Sequence, residues 1–249
     1  PNTFFPKNKV FEGVKTGELL RAGYTDVSML YTRRNLTVFS ALWNEMKNVS
    51  ILRFVLTSIL VKTGSLLHNI GIKDGKINLA GALPNALFVP SALAERNIFE
   101  LFEGKLKDII KMNPETLHRC CNQIESATSV SNIKDNSIDY IFTDPPFGHN
   151  LMYSELNFIH EGWLNVFTEN KEEAIENSAQ HKNVASYSNL MKNAFSEYYR
   201  ILKPGHWMTV EFSNTSAAIW NSIQHAITSA GFTISVVRGL DKKQGSYNA

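Results

Sequence analysis

Two adjacent prolines close off a short β-rich run, and this junction constrains the chain more than any other feature. Residues 137–143 read Ser-Ile-Asp-Tyr-Ile-Phe-Thr, bounded by Asp135-Asn136 before and Pro145-Pro146 after, which predicts a buried strand that stops at the prolines. Proline has a fixed φ and no backbone N–H, so a pair of them ends a β-ladder. Residues 153–167 and 187–201 have helical spacing, and Lys203-Pro204-Gly205 stops the second. Residues 207–212 read as a strand, 216–230 as a helix ended by Gly231, and 232–237 as a last strand. Strands alternating with helices at these lengths predict a parallel sheet with crossover helices, an α/β fold.

The N-terminal part has a different texture. Leu36, Phe39, Leu42, Trp43 and Met46 recur at three- and four-residue steps, one face of an amphipathic helix. Residues 51–70 predict a second, mostly apolar and therefore buried helix, with Gly71 as its stop. Lys73-Asp74-Gly75-Lys76 reads as a turn, and a boundary placed there divides a helical segment, residues 1–75, from residues 76–249. Residues 77–89 fit a short strand or a loop. Ser91 is a good helix cap before an apolar face of Ile98, Phe99, Phe102, Leu106, Ile109 and Ile110. A weaker helix is expected after Pro114 and a strand over residues 124–128.

Composition narrows the class. At 249 residues the chain can bury one large core or two modest ones without disulfide or metal staples. Lys+Arg 25 against Asp+Glu 23 gives a net charge of +2, which neither demands nor excludes a polyanionic partner. The only cysteines, Cys120 and Cys121, are adjacent, a poor geometry for a bridge, and no Cys/His spacing of the zinc type occurs. No metal site and a reducing, cytoplasmic setting are expected. No run reaches the roughly 20 apolar residues of a membrane span. The chain starts at Pro1 with no signal-peptide pattern, and is expected to be a piece of a longer protein.

The string that carries chemistry is Thr143-Asp144-Pro145-Pro146-Phe147-Gly148-His149-Asn150. It stands where the chain leaves a strand, and open α/β sheets bind ligands beyond the carboxyl ends of their strands. A bare Pro-Pro turn with Asp144 bonded to nearby N–H groups would account for Asp-Pro-Pro alone. The hydrophobic strand before it, the aromatic directly after it and the later Leu202-Lys-Pro-Gly-His-Trp207 point further.

That combination resembles the amino-methyltransferases that act on exocyclic amines of adenine or cytosine in DNA. Their mark is (Asp/Asn/Ser)-Pro-Pro-(Tyr/Phe/Trp) at the end of the fourth strand of a Rossmann-like sheet. Asp139-Tyr-Ile-Phe-Thr-Asp-Pro-Pro-Phe-Gly followed by Tyr153-Ser-Glu-Leu-Asn157 is similar to bacterial site-specific DNA methylases. The likeness covers residues 120–249 well and the first 75 poorly. It implies a Rossmann-like catalytic region over residues 76–249, S-adenosylmethionine as methyl donor, and DNA with a flipped adenine or cytosine as partner. Such a pattern is compatible with restriction and modification.

The resemblance also implies roles. Asp144, Pro145, Pro146 and Phe147 form the amine pocket: the carboxylate and the Pro145 carbonyl accept the amine hydrogens, and Phe147 stacks on the base. Asn150 and Tyr153 lie where the loop would touch base or cofactor. Apart from the resemblance, Lys242 and Lys243, in a polar loop after the last expected strand, fit a phosphate contact or a solvated tip alike. Ser126 and Ala127, with Asp144, are the expected cofactor contacts. One family element is missing. No two of the 14 glycines stand two apart, so no Phe-x-Gly-x-Gly loop exists here, and that loop is expected upstream of Pro1.

Two other functions fit the motif: an RNA methyltransferase acting on guanine N2, and a non-catalytic nucleic-acid-binding relic. His160-Glu161 lacks the second His of a metalloprotease helix. Trp163, Trp207 and Trp220 are expected to be packing residues, and Glu169–Glu176 a solvated acidic run before His181-Lys182.

Overall fold

In a computed structural model, residues 3–61, 64–83, 85–112 and 121–239 are described. The chain divides into two compact units, one of Pro1–Gln123 with His149–Asn183, the other of Ile124–Gly148 with Val184–Ala249. The boundary expected after residue 75 lies inside the first unit. The class is mixed α/β, with seven α-helices and a small parallel sheet among the described residues.

The first unit holds α1 (Thr16–Arg21), α2 (Arg33–Glu45), α3 (Ser50–Leu60), β1 (His68–Lys73), β2 (Lys76–Ala82), α4 (Ile98–Lys111) and α5 (Tyr153–Leu164). Its core centres on Trp163. That ring meets Tyr31, Phe39 and Trp43 at centroid distances of 5.8, 5.8 and 5.5 Å. The indole N–H donates to the Tyr31 hydroxyl at 3.0 Å, which donates to the Leu60 carbonyl at 3.1 Å, so both buried polar groups are satisfied. Burial pushes the Tyr31 hydroxyl well above its ordinary pKa.

Three expectations in this unit need correction. The apolar helix ends at Leu60, and its expected continuation contains strand β1, with Gly71 inside it. The expected turn itself is present, Asp74 and Gly75 taking φ of +52° and +71°, and it joins β1 and β2 as an antiparallel hairpin. Helix α4 starts at Ile98 with Asn97, not Ser91, as its cap: the Asn97 side chain accepts from the Phe99 N–H at 3.0 Å. Phe99 and Ile110 of the expected apolar face are 60% and 72% exposed.

The second unit holds β3 (Ile138–Thr143), α6 (Val184–Ile201), β4 (Leu202–Val210) and α7 (Ala217–Ser229). β3 and β4 pair in parallel, Tyr140 opposite Trp207 and Thr143 opposite Val210. The register shifts between Ile138 and Tyr140, which absorbs Lys203-Pro204-Gly205 inside β4 as a bulge rather than as a turn before it. Gly205 takes a φ of +76° there. Lys203 Nζ reaches Asp139 Oδ1 at 2.6 Å and holds that carboxyl below its usual pKa range. Arg200 locks the approach to β3: its guanidinium forks onto Glu197 at 3.0 and 2.8 Å and donates to Asp135 and to the Ile133 and Val130 carbonyls. Tyr187, Met191, Phe195, Ile219, Ile223 and Ala226 form the buried seam of α6 and α7.

The sheet differs from expectation in three ways. β3 is not buried: Tyr140 is 53% and Phe142 62% exposed, and Trp207, opposite Tyr140, is 66% exposed rather than packed. Residues 232–237 form no strand, nor do residues 124–128, where Ile124 is fully exposed. The weaker helix expected after Pro114 falls largely outside the described residues.

His160, on α5, is held below its ordinary pKa chiefly by burial, against a hydrogen bond to the Thr57 backbone. Its folded pKa therefore lies below the unfolded value of about 6.5. The folded state binds fewer protons in that interval, so the His160 contribution is complete at pH 7 and is lost as pH falls through it. His160→Gln should flatten the decline in stability between about pH 7 and pH 5. Urea unfolding at several pH values checks this.

Candidate active site

The parallel ladder fixes where the Asp-Pro-Pro-Phe string begins. Beyond the Thr143–Val210 pair the Glu211 N–H donates to the Thr143 carbonyl at 2.9 Å. Residues 144–148 and 211–216 thus leave the same end of the sheet, the carboxyl ends of both strands. Two loops 67 residues apart in sequence meet there.

Within residues 144–148, exposure alternates sharply. Asp144 is exposed, Pro145 is buried, Pro146 and Phe147 are half-buried, and Gly148 is buried. The Asp144 carboxylate makes no hydrogen bond or ion pair among the described residues, unlike the capping role a plain turn would give it. Gly148 has a φ of +70°, which a side chain disfavours, and a Cβ there would lie 3.1 Å from Ile219 Cδ1.

Two side chains grip the loop carbonyls. The Tyr187 hydroxyl, on α6, donates to the Pro146 carbonyl at 2.7 Å. The Asn214 amide donates to the Phe147 carbonyl at 2.7 Å, while its Oδ1 accepts from the Ser216 N–H at 2.6 Å at the start of α7. The Trp220 indole N–H donates to the Asn214 carbonyl at 2.8 Å. Rings follow the same path: Phe147 meets Phe212 edge-on at 5.3 Å, and Phe212 meets Trp220 edge-on at 5.1 Å. Trp220 is thus part of the loop's support.

Of the remaining expected site residues, those described fall in both units. Ser126 and Ala127 are exposed in a turn, not at a strand end, with Ser126 Oγ 2.8 Å from Thr128 Oγ1. Asn150 and Tyr153 belong to the first unit, where both are exposed. Lys242 and Lys243 lie outside the described residues. Among the described residues no group of three His, Cys, Asp or Glu is arranged to hold a metal, and no helix is long and apolar enough to cross a membrane.

Sequence reasoning missed a polar cluster around Glu155, in the first unit. Glu155 is fully buried and accepts from the Lys15 N–H at 2.5 Å, the Thr16 N–H at 3.0 Å and the Asn177 amide at 2.6 Å. A Cβ on Gly13 would stand 2.4 Å from that carboxyl, so glycine is required there. Glu173 is also buried and accepts from the Ser154 N–H at 2.9 Å and its hydroxyl at 2.6 Å, which corrects the expectation that the acidic run is only solvated. Nothing in residue spacing marks a carboxylate for burial; the helix N-terminus it caps is the physical reason. Tyr187 and Asn214 were also unmarked, although Asn two residues before Ser216 is a helix-start signal.

No protein-family model, curated protein or solved structure matches the chain.

Gly148→Ala should destabilise the second unit by about 1–2 kcal/mol, the cost of placing a side chain in the left-handed region. Denaturant unfolding of the variant beside wild type measures it.

Proposed function

We propose that the chain carries the amine pocket of an S-adenosylmethionine-dependent DNA methyltransferase, which transfers a methyl group to adenine N6 or cytosine N4. The observation that carries this reading is the loop at the carboxyl end of β3. An exposed carboxylate with no partner among the described residues stands next to a backbone carbonyl fixed by a proline pair, with an aromatic ring braced two residues on.

The chemistry asks for such a set. An exocyclic amine is a weak nucleophile because its lone pair is delocalised into the ring. Acceptors on its two hydrogens favour a pyramidal nitrogen with the lone pair free to attack. Asp144 supplies a charged acceptor that also complements the positive charge developing on nitrogen. The Pro145 carbonyl supplies the second, its direction limited by the proline rings. Phe147 offers a face to a base turned out of the duplex, which offsets part of the unstacking cost. Positioning and charge complementarity do the work, so Asp144 need not act as a strong base.

S-adenosylmethionine would supply the methyl group as a sulfonium. The turn at Ser126 and Ala127 is exposed, but the Ser126 hydroxyl already bonds Thr128 and no glycine cradle occurs in the sequence, so these residues do not fit its adenosyl part. In this reading β3 and β4 belong to a wider Rossmann-like parallel sheet. Strands of parallel sheets are ordinarily covered on both faces, whereas Tyr140, Phe142 and Trp207 are open here.

Asp144→Ala should leave the melting temperature unchanged, because the exposed carboxylate makes no hydrogen bond or ion pair among the described residues, and lower methyl transfer to unmethylated DNA at least about a hundredfold. Incorporation of labelled methyl groups, measured on the protein at its full natural length, decides the matter. Undiminished transfer by the variant contradicts the assignment, and transfer to RNA alone favours a guanine-N2 enzyme.

A further inference from the structure

We infer that Tyr187 and Asn214 are positioning residues of the amine pocket, which fix by elimination the acceptors the loop presents. The inference rests on the amine-pocket reading above. Residues 143–147 have five backbone carbonyls, all potential acceptors for an amine. Thr143 gives its carbonyl to the Glu211 N–H, Pro146 to the Tyr187 hydroxyl and Phe147 to the Asn214 amide. Among the described residues, the carbonyls of Asp144 and Pro145 accept nothing. Neither proline has a backbone N–H, so the loop has few donors of its own. Two side chains grip it from outside, Tyr187 on α6 and Asn214 in the loop between β4 and α7.

The two grips are independent. Tyr187 is fully buried in the first turn of α6, so its hydroxyl is delivered by a rigid element. Asn214 is fixed by three bonds at once: its amide to Phe147, its Oδ1 from Ser216, and its carbonyl from Trp220. Together they hold the peptide planes on the C-terminal side of Pro145. A rotation of the Pro146 or Phe147 plane would bring a competing acceptor to the base and swing the Phe147 ring off Phe212. Selectivity for an amine with two hydrogens would then be lost.

Conservative variants isolate these bonds. Tyr187→Phe removes only the hydroxyl. Asn214→Asp keeps Oδ1 for the Ser216 N–H and the backbone carbonyl for Trp220, and replaces the donor to Phe147 by a repelling oxygen. The test is amide-resolved NMR of the full chain, wild type beside these two and Asp144→Ala, titrated with adenosine and with cytidine. In wild type a nucleoside should shift the Phe147 and Gly148 amides, and Asp144→Ala should abolish that shift. Both conservative variants should still unfold cooperatively, broaden the same two amides before any nucleoside is added, and bind nucleoside about three- to tenfold more weakly. If Tyr187→Phe fails to fold, Asn214→Asp decides alone. Loop amides that stay sharp, or wild-type affinity despite a loosened loop, overturn the positioning role and leave the pocket intact. A wild type whose loop amides respond to neither nucleoside, or an Asp144→Ala that binds normally, overturns the pocket and this inference with it.

Discussion

The parallel pairing of β3 with β4 is the constraint on which the site depends. Parallel strands put both carboxyl ends on one side, so the loop after Thr143 and the loop after Val210 emerge together. Without that register, Asn214 would not reach the Phe147 carbonyl nor Phe212 the Phe147 ring. The pairing is itself held at its start. Asn136 and Ser137 donate to the carbonyls of Arg200 and Ile201 at 2.9 Å each, while the Arg200 side chain fastens the segment leading into β3.

From that frame the proline pair acquires its meaning. A loop of ordinary residues would satisfy its carbonyls and N–H groups among themselves, as turns do. Asp144-Pro145-Pro146 cannot, so its polar groups are held from outside or left open. Those open among the described residues are a carboxylate and the carbonyls of residues 144 and 145, next to a braced aromatic ring. This is a surface made of acceptors, suited to a ligand that brings donors, and an exocyclic amine brings two.

How much of this is legible in the sequence varies with the physical cause. β3, α6, α7 and the pair of loop prolines are visible because local pattern and turn chemistry agree there. The turn at Asp74-Gly75 is legible for the same reason, but the hairpin is not, because its first strand begins in the run that fits a helix. Residues 51–70 mislead because an apolar run fits a buried helix and a strand alike, and only the tertiary setting ends α3 at Leu60. Ser91 misleads because a better cap, Asn97, stands nearer the helix. Residues 232–237 have strand composition, yet strand propensity acts only where a partner ladder exists. In the site, Asp144 to Phe147 can be picked out by their own chemistry. Tyr187 and Asn214 act through space, 41 and 67 residues from the carbonyls they hold, and spacing carries no sign of them.

The central claim is that this loop activates an exocyclic amine, and the product states whether it does. DNA incubated with the protein at its full natural length and S-adenosylmethionine, then digested to nucleosides and weighed by mass spectrometry, gives a direct answer. The account predicts N6-methyladenine or N4-methylcytosine. Methylation on cytosine carbon 5, or DNA that gains no methyl group, would contradict it.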